Sequence, residues 1–272
     1  MTGPGDRPSS TELLDLATGL AEKAGSTITE MRAGAVSSAT TKSSPTDPVT
    51  AADREAEEMI VAGILEARPD DGIVGEEGTD RTGRTGVVWH IDPIDGTTNY
   101  LYDIPAYSVS IAAQVEGAVV AGVVLNPAAD ELYAARAGRG ATRNGLPIAA
   151  STTDQLASCL VATGFGYIAE RRRVQAEVIA ALLPEVRDLR RFGSAALDLC
   201  AVACGRVDAY FEAGLNSWDF AAGWLIASEA GAVCDDLRDG DPSERFLMAA
   251  APGVHRSLTT ALQRLDADRV IA

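Results

Sequence analysis

The middle of the chain holds three apolar runs that follow one another with only short turn signals between them. These runs span residues 107–115, 119–125 and 131–135. Glu116-Gly117 and Asn126-Pro127 separate them, and Asn144-Gly145 marks a further tight turn. Short apolar runs bounded by such turn residues are typical of antiparallel strands. The middle of the chain therefore predicts an antiparallel meander.

The second half of the chain alternates between strand-like and helix-like runs. The predicted strands are 159–163, 187–192, 207–211, 232–235 and 246–250, and the predicted helices are 168–183, 194–204, 219–230 and 253–265. Such alternation indicates α/β layering. Two amphipathic helices, at 13–31 and 50–67 with Thr50 as N-cap, precede the meander. We expect an α+β half (1–150) and an α/β half (151–272), with the ligand site in the cleft between them.

The composition limits the classes of function. A net charge of −16 over 272 residues makes nucleic-acid binding unfavourable, and it also repels phosphorylated small molecules unless bound cations reverse the local field. The sequence shows neither a signal peptide nor an apolar run of membrane-spanning length. The 4 cysteines form no CxxC pair and favour reduced thiols. We therefore expect a cytoplasmic protein that does not bind membranes.

The stretch HIDPIDGTTNY (90–100) follows a predicted strand at 87–91. Pro93 biases Asp92 toward an extended conformation, and the turn after it can bring Asp95 to the same side. With the carbonyl of Ile94 between them, these residues offer three oxygen ligands of the kind that Mg²⁺ prefers. An Asx-turn that merely joins a strand to a helix explains the spacing equally well.

The residues after the two aspartates favour the metal interpretation. Gly96 allows close approach of the backbone to a ligand. The stretch from Gly96 to Asn99 can open a helical turn whose free N–H groups face an anion. Cations held beside such a turn would form a phosphate site.

Several separated stretches resemble, in the same order, the inositol monophosphatase family of Mg²⁺-dependent, lithium-sensitive phosphomonoesterases. Besides HIDPIDGTTNY they are KSSPTDPVTAAD (42–53), GEEG (75–78), RRFGSAALDL (190–199) and NSWDFAAGWLIASEAGA (216–232). The resemblance covers residues 10–265. It implies the layered αβαβα sandwich of that family, an α+β and α/β architecture.

The resemblance also implies a set of metal ligands. A first Mg²⁺ ion would be held by Glu76, Asp92 and the carbonyl of Ile94. A second would be held by Asp92, Asp95 and Asp219, so that Asp92 bridges the two ions. A third, weaker ion is expected near Glu76.

Catalytic and substrate-binding roles follow from the same resemblance. Glu76, Asp53 and Thr97 would position the attacking water, and Lys42 would tune the charge around the metals or order water. Gly96 and Thr97 would donate N–H groups to the phosphate. The full set of expected substrate-binding residues is Asp95, Gly96, Thr97, Arg191, Ala196, Glu212 and Asp219.

The implied reaction is Mg²⁺-dependent hydrolysis of a small polyol phosphate by direct attack of a metal-activated water. His255 lies outside the shared motifs, and His90 stands at the first position of one of them. No Ser–His pair is evident, so covalent catalysis through histidine is not expected. Inositol monophosphate is the favoured substrate. Histidinol phosphate is the main alternative, followed by fructose 1,6-bisphosphate and a 3′-phosphonucleotide.

Two readings from other classes stay open. Some bacterial members of the family act as partners of the transcription machinery, and the pair Arg190-Arg191 could serve such an interface. The metal site could also be structural and without turnover. A homodimer is expected from the resemblance.

Three local predictions complete the sequence analysis. The polar segment 79–86 is predicted to be a mobile loop. The arginines at 171–173 are predicted to lie on a solvated helix face, and His90 is predicted to pack within a strand.

Overall fold

The computed structural model describes residues 8–32, 40–41, 48–238 and 240–269. The helices of this part are α1 Ser10–Met31, α2 Ala51–Ala67, α3 Thr97–Leu101, α4 Ala169–Leu182, α5 Ala195–Ala203, α6 Ser217–Glu229 and α7 Pro252–Arg264. The strands are β1 Thr40–Thr41, β2 Pro48–Val49, β3 Gly72–Gly75, β4 Asp80–Arg81, β5 Val87–Asp95, β6 Ser108–Val115, β7 Ala118–Asn126, β8 Glu131–Arg136, β9 Ala141–Arg143, β10 Leu146–Pro147, β11 Leu160–Thr163, β12 Asp188–Arg190, β13 Ala209–Glu212, β14 Val233–Asp235 and β15 Leu247–Ala250.

The larger sheet has eight strands in the order β10-β9-β8-β7-β6-β5-β3-β4. Strands β5 to β10 pair antiparallel with their neighbours in sequence, which confirms the predicted meander. Asn144 (φ 50°) and Gly145 (φ 75°) both adopt positive φ in the turn between β9 and β10, as a tight hairpin of this kind requires.

The smaller sheet has five strands in the order β12-β11-β13-β15-β14. Its first three strands are parallel, as the alternating pattern predicted, whereas β15 runs antiparallel to both β13 and β14. The loops after β11, β12 and β13 therefore emerge at the same edge of the sheet. In parallel sheets this carboxyl edge is where ligands bind.

Helices and sheets alternate in five layers, which confirms the expected αβαβα sandwich. Helices α1 and α2 bury one face of the larger sheet. Helices α5 and α6 lie between the two sheets and share one apolar core with both of them. Helices α4 and α7 cover the outer face of the smaller sheet. The boundary near residue 150 falls between the two sheets, and the division into two halves remains a prediction.

Capping side chains define where several helices begin. Ser9 and Glu12 form a capping box at α1, and Thr50 and Asp53 form one at α2, as predicted for Thr50. Ser194 accepts a hydrogen bond from the backbone of α5. These caps satisfy N–H groups that a helix cannot pair internally, and two of them use residues of the candidate site.

Residues 79–86, predicted as a loop, contain a short strand that the sequence prediction missed and that pairs with the larger sheet. Strand β4 pairs with Ile73 and Val74 of β3, and the N–H of Arg84 donates to the carbonyl of Asp70. A strand of two exposed residues leaves no apolar alternation for a sequence pattern to reveal.

None of the described helices combines the length and apolarity that crossing a membrane requires. All four cysteines are free thiols, as expected.

Candidate active site

A cavity of about 470 Å³ opens where the carboxyl end of β5 meets the carboxyl edge of the smaller sheet. Most of the residues predicted from the sequence line it: Glu76, Asp92, Ile94, Asp95, Gly96, Thr97, Arg191, Glu212 and Asp219. Asp53 and Ala196 lie behind its wall, and Lys42 falls outside the described residues. Two segments separated by more than 90 positions, 76–97 and 191–219, thus contribute side chains to one site.

A bulge in β5 brings both aspartates of the motif to the cavity. Asp92 is opposite Ser110 of β6 and Asp95 is opposite Ser108, so β5 advances by three residues while β6 advances by two. Without that extra residue, side chains three apart would point to opposite faces of the sheet. The N–H of Ile94 donates to Asp92 Oδ1 (3.0 Å) and fixes the bulge. The strand continues through Asp95 instead of ending at residue 91.

Four carboxylates stand close enough to perturb one another. Burial raises the pKa of Asp92 well above its usual range, and the charges of Glu76, Asp95 and Asp219 raise it further. Burial also raises the pKa of Asp219, followed by the charges of Glu76 and Asp95. This end of the cavity is therefore strongly negative when its carboxyl groups are ionised.

Asp95 is joined to the middle helical layer by two hydrogen bonds. Its Oδ2 accepts from Ser194 Oγ (2.6 Å) and from the N–H of Ala196 (2.7 Å). Burial raises the pKa of Asp95 to about 6, against the opposite effect of these bonds. Ala196 acts through its backbone, since its side chain is fully buried, and the neighbouring Ala195 is the alanine that lines the cavity.

Asp219 lies in the first turn of α6. Its Oδ2 accepts from the N–H of Asn216 (2.6 Å), which completes the cap of the helix and sets the direction of the carboxylate. His90 Nδ1 lies 3.0 Å from Ser217 Oγ, so this histidine joins β5 to the same helix end. The prediction of plain strand packing for His90 missed this contact.

Asp53 and Thr97 form the hydrogen bond expected from the family resemblance. Thr97 Oγ1 lies 3.1 Å from Asp53 Oδ1 and 3.0 Å from the carbonyl oxygen of Ile94. The other oxygen of Asp53 accepts from the N–H (2.8 Å) and the hydroxyl (2.6 Å) of Thr50. Asp53 is fully buried, so it holds Thr97 in place from behind the cavity wall.

Glu212 stands at the end of β13. Burial raises its pKa to about 7, although the hydroxyl of Tyr210 donates to it (2.7 Å) and Arg191 is near. The carboxylate rests against Gly164, where an added Cβ would meet Glu212 Oε2 at 1.8 Å. Glycine at this position therefore makes room for the carboxylate.

Three features of the wall escaped the sequence prediction. Ser194 was identified only within a family motif, and Asp198 was not singled out, although it is 1% exposed and burial raises its pKa. Arg171 lines the cavity, which corrects the expectation of a solvated face for 171–173, whereas Arg172 and Arg173 are exposed as expected.

The donor set fits a hard cation. Within the described ranges, no three His, Cys, Asp or Glu side chains are preassembled as a metal-binding group. Protein donors instead engage one oxygen of Asp92, of Asp95 and of Asp219, which orients each carboxylate toward the common cavity. An all-oxygen set of this charge suits Mg²⁺, and a bound cation would relieve the mutual repulsion.

Known proteins share the sequence and the fold. The model of the inositol monophosphatase family matches residues 9–268. An inositol-1-monophosphatase SuhB of Mycobacterium tuberculosis is 48% identical over 236 residues, 83% of this chain and 81% of that protein. A protein of Pasteurella multocida named Nus factor SuhB is 39% identical over 255 residues, 92% of this chain and 96% of that protein.

The solved structure of Mycobacterium tuberculosis SuhB superposes with a TM-score of 0.83 at 41% identity, over 97% of this chain and 100% of that one. Members of this family are phosphatases that need metal ions. With the family match spanning nearly the whole chain and the carboxylates gathered in one cavity, the protein belongs to the inositol monophosphatase family and is a phosphoric monoester hydrolase.

Proposed function

We propose that the protein hydrolyses a small polyol phosphate, with inositol monophosphate as the preferred substrate, and that it uses Mg²⁺. The observation that carries this proposal is the division of the cavity. Asp92, Asp95, Asp219 and Glu76 occupy one end, and Glu212 stands at the edge of the smaller sheet. The first group suits cations, which in turn attract phosphate. Glu212 suits hydroxyl groups.

In this proposal Glu76, Asp92, Asp95 and Asp219 would hold two or three Mg²⁺ ions, which would supply neutralisation of the carboxylates, a bound water of lowered pKa and stabilisation of the leaving oxygen. The chain itself supplies positioning. Asp53 holds the hydroxyl of Thr97 at a fixed place, and Thr97 and Glu76 orient the water. The N–H groups of Gly96 and Thr97 hold the phosphate. Lys42, outside the described residues, would tune the charge around the metals if the family resemblance holds at that position.

The preference for a polyol rests on Glu212 and Arg191. An ionised carboxylate accepts hydrogen bonds from vicinal hydroxyls, and the guanidinium of Arg191 donates to hydroxyl oxygens. Relatives named inositol-1-monophosphatase, 48% identical, support the inositol ring as the organic part. Histidinol phosphate, fructose 1,6-bisphosphate and 3′-phosphonucleotides are the alternative substrates.

A substrate panel tests the proposal. Phosphate release is measured with inositol 1-phosphate, histidinol phosphate, fructose 1,6-bisphosphate and a 3′-phosphonucleotide, each with Mg²⁺, with chelator, and with Mg²⁺ plus lithium. We expect the highest kcat/KM for inositol 1-phosphate, no turnover with chelator, and inhibition by lithium. A higher kcat/KM for another substrate would reassign the substrate. Turnover that survives chelation would refute the metal-dependent reaction.

Direct attack by water predicts that no phosphoenzyme accumulates. A burst of the alcohol product without an equal amount of phosphate after acid quench, or labelled phosphate trapped on the protein, would contradict this mechanism. The cavity offers no histidine as a nucleophile, because His90 is bonded to Ser217 and Gln114 and His255 pairs with Asp235.

A second function is suggested by relatives named Nus factor SuhB, which are 39% identical to this chain. Binding to the transcription machinery would use the outer surface, where Arg190 is exposed. Co-purification with RNA polymerase that survives Asp95→Asn but is lost in Arg190→Glu would establish this role as separate from catalysis.

The expected homodimer is tested by analytical ultracentrifugation, and the expected cytoplasmic location by cell fractionation.

A further inference from the structure

Arg171 is built into the wall of the cavity. Its guanidinium passes between two glycines: an added Cβ on Gly214 would meet Arg171 Nη1 at 2.1 Å, and one on Gly166 would meet Arg171 Cδ at 2.9 Å. Gly214 also adopts a φ of +83°, a backbone conformation that other residues rarely take. The missing side chain of Gly214 therefore leaves room for Arg171, and its positive φ independently favours glycine there.

Among the residues that the structure describes, the guanidinium of Arg171 has no partner of opposite charge. Within those ranges its side chain makes no hydrogen bond and no ion pair. The chain carries 39 acidic and 23 basic residues, so acidic partners are abundant. Arg173, two positions further along the same helix, does pair with Glu170. A half-buried arginine without such a partner, on the wall of a ligand cavity, has its five donors available to a ligand.

The location of Arg171 separates it from the carboxylate cluster. The loops after β11, β12 and β13 emerge side by side at the carboxyl edge of the smaller sheet. The first of them carries Gly166 and leads to Arg171, the second carries Arg191, and the third carries Gly214. The carboxylates of Asp92 and Asp95 belong to the larger sheet across the cavity. Two guanidinium groups thus lie on the loops of one sheet, while these two metal-binding candidates lie on the other.

Resting on the proposed function, we infer that Arg171 anchors a second anionic subsite, so that a polyol phosphomonoester that carries another phosphate or a carboxylate binds more tightly than the same polyol with a single phosphate. A planar guanidinium matches the oxygens of either group with two parallel hydrogen bonds. Neutral hydroxyls need no such charge, and Glu212 already provides an acceptor for them. The exposed Tyr167 and Ile168 also line the cavity and precede Arg171 in the chain.

A pair of probes that differ only in the second anion tests this inference. D-glucitol 6-phosphate and D-glucitol 1,6-bisphosphate are compared by steady-state phosphate release with Mg²⁺. Their binding is compared by calorimetry with Ca²⁺, which takes the same oxygen ligands with looser geometry. D-gluconate 6-phosphate distinguishes a carboxylate from a phosphate as the second anion. We expect the intact protein to favour at least one of the two probes that carry a second anionic group, in both kcat/KM and affinity.

The variant Arg171→Gln should remove that preference, lowering kcat/KM and affinity for the favoured probe roughly 10- to 100-fold, since charged hydrogen bonds are lost. It should leave D-glucitol 6-phosphate within about twofold. Arg171→Lys, which keeps the charge but not the planar fork, should fall between the two. Arg172→Gln, at the exposed neighbour on the same helix, is the matched control and should change neither probe.

The outcomes separate this inference from the proposed function. Equal kcat/KM and equal affinity for all three probes would overturn the second subsite while leaving the phosphatase proposal intact. An equal loss for all probes in Arg171→Gln would overturn it too, since Arg171 would then serve the shared part of the substrate. Absence of turnover with these probes and with the substrate panel above would refute the proposed function, and the calorimetric comparison would still decide whether Arg171 binds the second anion.

Discussion

Ser194 donates a hydrogen bond of 2.6 Å to Asp95 although the two residues lie 99 positions apart in the chain. Ser194 is at the same time the N-cap of α5, where its Oγ accepts from the N–H of Leu197 (3.2 Å). One hydroxyl therefore ties the start of a helix in the middle layer to a carboxylate at the end of β5. Helix capping and orientation of a candidate metal ligand depend on the same atom.

Replacing this hydroxyl should weaken both the fold and the reaction. Loss of a capping side chain costs about 0.5–2 kcal/mol of unfolding free energy, and Ser194→Ala also removes one of the two bonds that orient Asp95. We expect a lower thermal unfolding midpoint and a lower kcat. Ser9→Ala removes the cap of α1, far from the cavity, and should lower the midpoint without affecting kcat. Unchanged kcat in Ser194→Ala would show that the bond does not serve catalysis.

Asp95→Asn should keep the fold and abolish most Mg²⁺-dependent turnover. The amide oxygen can still accept from Ser194 and Ala196, so the contact between the layers persists, but the negative charge is lost. Without metal, the unfolding midpoint should stay equal or rise, because one charge leaves a repulsive cluster. Asp154→Asn, an exposed carboxylate outside the cavity, is the control. Retained turnover in Asp95→Asn would refute its assignment as a metal ligand.

Removal of the metal should destabilise the folded protein. A ligand that binds only the native state raises the unfolding free energy by about 2.7 kcal/mol at a concentration of 100 times its dissociation constant. Thermal unfolding is therefore compared with chelator and with increasing Mg²⁺, using NaCl of equal ionic strength as the control. We expect a rise that depends on Mg²⁺ and shrinks in Asp95→Asn. The same rise in NaCl would mean general screening of charge, with no specific site.

The KM for a polyol phosphate should fall as the pH rises through about 7. Burial raises the pKa of Glu212 to about 7, so the group is largely protonated below that pH and charged above it. Substrate hydroxyls donate to the charged form, which binds them more tightly. The measurement is KM against pH at saturating Mg²⁺. Glu212→Gln should raise KM and flatten this profile, whereas the exposed Glu177→Gln should follow the parent protein.

The predictability of the fold and of the site depends on how local the signals are. The meander followed from turn residues, and the turn at Asn144-Gly145 followed from the positive φ that these residues accept. Strand β4 could not be predicted, because two exposed residues carry no periodicity. The family motifs indicated which residues meet in the cavity, but no local pattern indicates the bond of Ser194 to a carboxylate 99 positions away.

The side chain of Arg171 illustrates a further limit on predicting the site from the sequence, which is the direction that a side chain faces. Three consecutive arginines on a helix differ only in the direction that each one faces, and that direction depends on where α4 packs against the smaller sheet. The glycines that accommodate Arg171, at positions 166 and 214, lie in two different loops. Their common purpose becomes visible only when the loops stand side by side in the structure.

Helices α5 and α6 lie between the two sheets and place Ser194 and Asp219 in the same site as Asp92 and Asp95 of the larger sheet. Contacts between residues so distant in the chain form late in folding, because closing long loops is entropically costly. A chain that has formed both sheets but has not yet closed around this layer would possess most of its secondary structure and no active site. Recovery of enzymatic turnover during refolding should therefore lag behind recovery of the circular dichroism signal. The rate at which activity returns would then measure the rate of the last step of folding.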